Sequence, residues 1–276
     1  MLYNSLMRKQ NTSWQKVAPW YNRITDQGRG HYYHQHVVIP GVLRLLDLNS
    51  KNLNQESKVL DLACGNGVLA KSLPKSVKYT GIDIAEDLVK TAKNEDKNYN
   101  HRYLVGDVTK PEGLAPRSLG EVGFTHATII LALQNISDPK SVIENAARHL
   151  IPSPAKPLAE AGKLLIVLNH PAFRIPRQSS WGIDEARKIQ YRRVDKYMSP
   201  MEIPINMNPS DKNSQVTMSY HFPLSDYSKM LKDAGFVINL IEEWTSDKES
   251  EGRARRMENR SRDEIPLFMT ILATKK

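Results

Sequence analysis

Two glycines and three carboxylates are the residues of this chain best spaced to do chemistry. Asp61-Leu62-Ala63-Cys64-Gly65-Asn66-Gly67 lies between one apolar run, Val59–Ala63, and another, Val68–Leu73. Glycine at such a junction lets the backbone turn sharply and approach a ligand with no Cβ in the way. The stretch after the loop reads as a helix whose free N–H groups face the loop, a setting that favours a carboxylate or phosphate. Asp83 stands within a second apolar run, Tyr79–Ile84, and Asp107 follows a third, Tyr103–Val105. At consecutive strand ends, Asp83 can accept hydrogen bonds from both ribose hydroxyls of a nucleoside, and Asp107 can take an adenine amino group. A glycine loop alone is a weak signal, whereas the loop and two carboxylates in this order form a strong one. Cys64, inside the loop, reads as a small buried side chain and not as a nucleophile.

These residues meet only if short strands bring them to one edge. From Lys58 onward the chain alternates apolar runs with helical patterns. Helices are expected over Glu86–Asn94 and from Asp138-Pro139 to Leu150, the proline suiting a first helical turn. Further strands are expected at Ala127–Leu133 and Lys163–Leu168, the latter apolar throughout as a strand buried on both faces must be. This alternation predicts a parallel sheet covered on both sides. A helix at Ser225–Ala234, a stop at Gly235 and strands at Phe236–Ile241 and Leu267–Ala273 predict an antiparallel pair at one sheet edge. Between them, residues 242–266 form a charged connection. His34–Leu48 reads as a helix that starts or bends at Pro40. The expected organisation is one domain over residues 1–276, with an N-terminal arm and helix (1–50) and an inserted lid (171–222).

The bulk composition permits such a domain and narrows its setting. Forty per cent hydrophobic and 25% charged residues are ordinary for a globular chain. No stretch approaches the roughly 20 apolar residues that span a bilayer, and Met1–Ser5 lack the features of a signal peptide. A single cysteine allows no internal disulfide, so a cytoplasmic protein is the expectation. With 39 Lys+Arg against 30 Asp+Glu the chain carries +9, which favours anionic partners without choosing among them.

The same residues make the chain resemble the class I S-adenosylmethionine-dependent methyltransferases. Val59–Gly67 is similar to that family's first motif, with Ala63 where glycine is commoner; Thr80–Ile84 resembles the acidic second motif, and Gly106-Asp107-Val108 the third. Thr128–Pro139 looks like the fourth-strand motif of small-molecule members, especially the ubiquinone/menaquinone-biosynthesis type. The resemblance covers residues 55–170 and 220–273. It implies a Rossmann-like α/β fold: a seven-stranded, mostly parallel sheet with an antiparallel last strand and helices on both faces. It also implies S-adenosyl-L-methionine as cofactor, held by Asp61, Ala63, Cys64, Gly65, Asn66, Gly67, Asp83, Ile84, Asp107, Val108 and Leu131. His126 departs from the pattern, since an acidic residue often begins the fourth strand there.

Methyl transfer from a sulfonium is an in-line displacement, so an acceptor must be held opposite the leaving sulfur and, for an O–H acceptor, lose a proton. His170, after the fifth strand, can serve as general base or can fix a turn. Tyr33, in His31-Tyr32-Tyr33-His34-Gln35-His36, can stack or orient an acceptor, and tyrosine faces attract cations. These two are the candidate catalytic residues. The three histidines do not share one helical face and have no adjacent carboxylate, so no metal site is expected. Arg174, Arg177, Trp181, Arg192 and Arg193 suggest an anionic, partly planar acceptor, or else a charged lid with Trp181 as its own small core. The expected function is methylation of a small molecule. Alternatives are an RNA or protein methyltransferase, a non-catalytic S-adenosylmethionine-binding protein, or a nicotinamide-dependent oxidoreductase. Nucleic acid is less favoured: Leu133-Gln134-Asn135 stands where amino-methylating members carry Asn/Asp-Pro-Pro-Tyr/Phe, and the basic run 252–262 is nearly neutralised by interleaved acids. Oligomeric state is not legible.

Overall fold

The computed structural model describes residues 13–25, 31–48, 57–114, 123–152, 161–207 and 214–276. Residues 1–12 of the expected arm and 208–213 of the inserted segment lie outside the described residues. The chain opens with α1 (Ser13–Ile24), a π-helical turn (His34–Val38) and α2 (Ile39–Leu46). Next come β1 (Lys58–Leu62), β2 (Lys78–Asp83), α3 (Glu86–Glu95), β3 (His101–Val105), β4 (His126–Ile130), α4 (Pro139–His149) and β5 (Lys163–Asn169). Two hairpins succeed them, β6 (Ser179–Asp184) with β7 (Ile189–Val194) and β8 (Met201–Asn206) with β9 (Val216–His221). The chain ends with α5 (Leu224–Asp233), β10 (Phe236–Trp244), α6 (Arg255–Glu264) and β11 (Phe268–Lys275).

Seven strands form one sheet in the order β3-β2-β1-β4-β5-β11-β10. The five strands from β3 to β5 are parallel, and β11 runs antiparallel between β5 and β10. The expected Rossmann-like sheet with an antiparallel last strand is therefore present. The fully apolar β5 explains itself: Leu164, Ile166 and Leu168 enter one core while Leu165 and Val167 enter the other. A strand with period-2 side chains and a core on each face needs apolar residues at every position. The first core is closed by α4 and α5, the second by α2 and α3. Asp138 caps α4 by accepting from the Ser141 N–H at 3.1 Å, with Pro139 in the first turn.

Three expectations are corrected. Val68–Leu73 does not form a helix; the loop passes into turns and a short 3₁₀ segment, Ala70–Ser72. Pro74 cuts the segment short, since it restricts Leu73 to extended backbone, and Leu73 has ψ 149°. The helix expected from His34 begins as a π-turn, with the Ile39 N–H bonding back to the His34 carbonyl. Pro40 has no N–H to give to the usual α-helical partner, and the wider turn absorbs that loss. The charged connection 242–266 contains α6.

Candidate active site

The glycine loop comes directly after β1 and is built from left-handed residues: Ala63 at φ 60°, Gly65 at 56° and Gly67 at 78°. A Cβ on Gly67 would stand 2.9 Å from the Tyr103 hydroxyl and 3.3 Å from Ala92 Cβ, so only glycine fits there without movement. At Gly65 the nearest atom to such a Cβ is Tyr21 Cε1 at 3.8 Å, an ordinary contact, so there the left-handed backbone and not crowding favours glycine. Ala63 holds the same conformation with a side chain, at a cost of about 1–2 kcal/mol.

Three carboxylates stand at the neighbouring strand ends, each tied into the protein. Asp83, 7% exposed, accepts from the Gly65 N–H at 2.9 Å and the Ala85 N–H at 2.8 Å. Burial raises its pKa, and these backbone donors oppose the rise. Asp61 accepts from the Tyr79 hydroxyl and the Thr128 hydroxyl, both at 2.7 Å. Burial lifts it to about 6 against the pull of those two bonds. Asp107 accepts from the Thr109 N–H at 2.9 Å and hydroxyl at 2.7 Å. The Cys64 thiol is buried, its pKa pushed well up by burial and by Asp83 and Asp61. A thiol so disfavoured as thiolate is a poor nucleophile.

All three carboxylates open on one cleft of about 640 Å³, within the range of pockets that hold a small ligand (roughly 300–1,000 Å³). Asp61, Ala63, Cys64, Gly65, Asp83, Ile84, Asp107, Val108 and Leu131 line it, as does Tyr33. Asn66 and Gly67 do not. The Asn66 amide is fully buried and donates to Asn22 at 2.8 Å and Thr25 at 2.7 Å. That side chain fastens α1 across the loop, and α1 contributes Trp14 and Tyr21 to the cleft wall.

His170 is placed elsewhere. It is absent from the cleft lining, and its Nε2 pairs with Glu243 Oε1 at 2.6 Å. Its Nδ1 accepts from the Ala172 and Phe173 N–H groups at 3.2 and 3.3 Å. An accepting Nδ1 puts the proton on Nε2, facing Glu243, so one ring nitrogen is committed to the turn and the other to Glu243 on β10. Trp181 also lies off the cleft, packed on the Arg192 guanidinium at 5.2 Å on the first hairpin. Arg174, from the same candidate cluster, does line the cleft.

Sequence reasoning passed over the second hairpin, whose Ile205, Met207, Met218 and Tyr220 line the cleft. Their period-2 spacing along β9 and along β8 to Met207, one residue past its end, was the available signal, obscured by Pro204 inside β8. It also left His31 and His34 without assigned roles. Both line the cleft, their rings 4.0 Å apart. His34 Nδ1 is buried with no hydrogen-bond partner, and burial lowers the ring's pKa to about 3. Gln134 Oε1, also on the cleft, is a second buried acceptor left open.

Sheet order and cleft position together define the fold of the class I methyltransferases. Residues 59–153 match the family model described as a methyltransferase domain. A solved S-adenosylmethionine-dependent methyltransferase from Mesorhizobium loti superposes with a TM-score of 0.60 at 18% identity, covering 86% of this chain and 100% of that one. A glycopeptide N-methyltransferase complexed with S-adenosyl-L-methionine gives 0.52 at 16% identity, with coverage of 86% and 94%. Among curated proteins, a ubiquinone biosynthesis O-methyltransferase of Coxiella burnetii is 30% identical over 151 residues, 53% of this chain and 61% of its own length. One of the same description from Xanthomonas oryzae pv. oryzae is 33% identical over 99 residues, 35% of this chain and 39% of its own. The chain thus spans less than two thirds of the curated relatives it matches.

Proposed function

We propose that this chain is an S-adenosylmethionine-dependent methyltransferase acting on a small, anionic, partly planar acceptor. The observation that carries the reading is the convergence of Gly65, Asp83 and Asp107, from three neighbouring parallel strands, on one cleft that continues past the ends of β4 and β5. Asp83 holds the ribose hydroxyls, Asp107 and Val108 flank the adenine, and Gly65 borders the methionine portion. The bound cofactor supplies an electrophilic methyl on a sulfonium. Leu131, left-handed at φ 52°, turns the chain so that β4 ends beside the reacting centre. Tyr33 lines the acceptor side, its hydroxyl 3.1 Å from Ser246 Oγ. The lid function belongs to the second hairpin, whose Met207 and Met218 roof the cleft and keep water from the sulfonium. The curated relatives, ubiquinone biosynthesis O-methyltransferases, support an oxygen acceptor of small size.

The test has two arms. Calorimetry with S-adenosylhomocysteine should show binding, and a folded chain that ignores it refutes the reading. Incubation with methyl-labelled cofactor and size-fractionated cell extract should place label in the small-molecule fraction; label in RNA or protein overturns the acceptor class.

A further inference from the structure

The acceptor end of the cleft holds a cation, Arg174, with no counter-charge among the described residues. Arg174 opens to the cleft beside the Phe268 ring, 5.7 Å from guanidinium to centroid, and forms no hydrogen bond or ion pair through its side chain among the described residues. The carboxylates nearby are engaged with other groups. Glu243 pairs with His170, and Asp247 accepts from Tyr32 at 3.0 Å and lies 3.6 Å from His36. Arg192 donates to the Phe173 carbonyl at 2.7 Å and Ser179 Oγ at 2.8 Å. An exposed arginine fork left open over an aromatic ring, on the wall of the cleft, suits a bidentate anion on a planar ligand.

His31 shares that end of the cleft. The groups acting on it are Arg174, Lys248, Tyr33 and His34, and no carboxylate is among them. Lys248 itself lies over the Tyr32 and Tyr33 rings, at 4.2 and 5.0 Å. Burial first, then Arg174 and Lys248, pull the His31 pKa down, so the ring is neutral and able to accept a proton at neutral pH. His34, its ring tilted against that of His31 and held neutral by burial, adds no charge.

We propose that Arg174 seats an anionic group of the acceptor, a carboxylate or phosphate ester, and that His31 takes the proton of the hydroxyl being methylated. This rests on the methyltransferase reading above. The acceptor oxygen forms its bond to the methyl carbon as the carbon–sulfur bond breaks, the pair going to sulfur, while the hydroxyl proton passes to the His31 imidazole. The acceptor's own charge assists: an anion on Arg174 offsets the cation that depresses His31, so the base strengthens when an acceptor of the right charge is seated.

The experiment uses the full chain saturated with S-adenosylhomocysteine, whose binding by calorimetry is established first and separates failure of the cofactor reading from failure of this one. Benzoate, phenyl phosphate and neutral benzamide are titrated in turn, and His31 is followed by imidazole NMR across pH. One of the two anions should bind at least about tenfold more tightly than benzamide and raise the His31 midpoint by about one unit; which of them does so distinguishes carboxylate from phosphate. In Arg174→Met the free protein's His31 midpoint should already be raised and the anion preference lost, and Arg174→Lys should keep part of both. His31→Gln should lower label transfer to extract about a hundredfold while leaving S-adenosylhomocysteine affinity intact. Equal binding of the anions and benzamide, or a His31 midpoint unmoved by bound anion, overturns the anion seat. Wild-type transfer by His31→Gln overturns the base.

Discussion

The two ends of the cleft are built on opposite principles. At the ends of β1, β2 and β3 the carboxylates are already bonded inside the protein: Asp61 to Tyr79 and Thr128, Asp83 to two backbone N–H groups, Asp107 to Thr109. Beyond β4 and β5 the polar groups are left open: Arg174 without an anion, His34 Nδ1 and Gln134 Oε1 without partners. A buried polar group left unpaired costs about 1–3 kcal/mol; the open end carries that cost at His34 Nδ1 and Gln134 Oε1, and the prebuilt end carries it at Asn66 Oδ1, behind the cleft wall, while its three carboxylates are all bonded. The first end is arranged before any ligand arrives; on the reading proposed here, the second is completed by one.

That contrast is open to attack, and the strongest blow falls on the prebuilt end. Gly67→Ala forces a Cβ against Tyr103 and Ala92 from a left-handed position. It should destabilise the fold by about 2–4 kcal/mol in urea titrations, and a loss under about half a kcal/mol would show the loop to be pliable after all. Next is a pH effect. Asp61 binds its proton more tightly folded than unfolded, rising from 3.8 to about 6. The group therefore favours the fold in acid, and its contribution is lost as pH climbs from about 4 to about 6, roughly 3 kcal/mol in all. Asp61→Asn should flatten that slope in denaturant midpoints taken across the window; an unchanged slope would assign it to another group.

Asp83→Ala removes the carboxylate that organises both the loop and the proposed ribose site. S-adenosylhomocysteine affinity should fall by about 1–3 kcal/mol in calorimetry, and unaltered affinity in a folded variant would move the cofactor elsewhere. The smallest effect belongs to the open end. Met218, half-buried in the roof, should cost only about 1 kcal/mol of stability as Met218→Ala, below the roughly 2–5 typical of a fully buried methionine. A larger loss by thermal melting would mean that the hairpin belongs to the core.

Legibility in the sequence obeyed the same divide. The prebuilt end could be read because each part has a local cause: continuous apolar runs for two-sided strands, glycine for left-handed turns, aspartate at strand ends. The segment after the loop misled because Val68–Leu73 satisfies a helical pattern that Pro74 leaves no room to complete. At the open end the causes are distant in sequence. Nothing around His170 reveals that its ring turns to Glu243, 73 residues onward, instead of into the cleft. Nor do the half-exposed strands β8 and β9 advertise a roof, since their alternation is mixed and contains a proline. Arg174 and Trp181 stand in one candidate cluster and part company only when the chain folds.

The π-turn before α2 has a consequence for how the chain can change length. An α-helix advances about 100° per residue, so a wide turn acts as an angular spacer between the segments on its two sides. α2 is fixed by Val42 and Leu46 in the core, while His31 and Tyr33 hang from the far side of the spacer. Removing one residue from His34–Val38 would leave α2 seated but swing the preceding rings about a quarter-turn away from the cleft. Insertions and deletions there would redirect which groups meet the acceptor without disturbing the core, a cheap route by which chains of this architecture could trade one substrate for another.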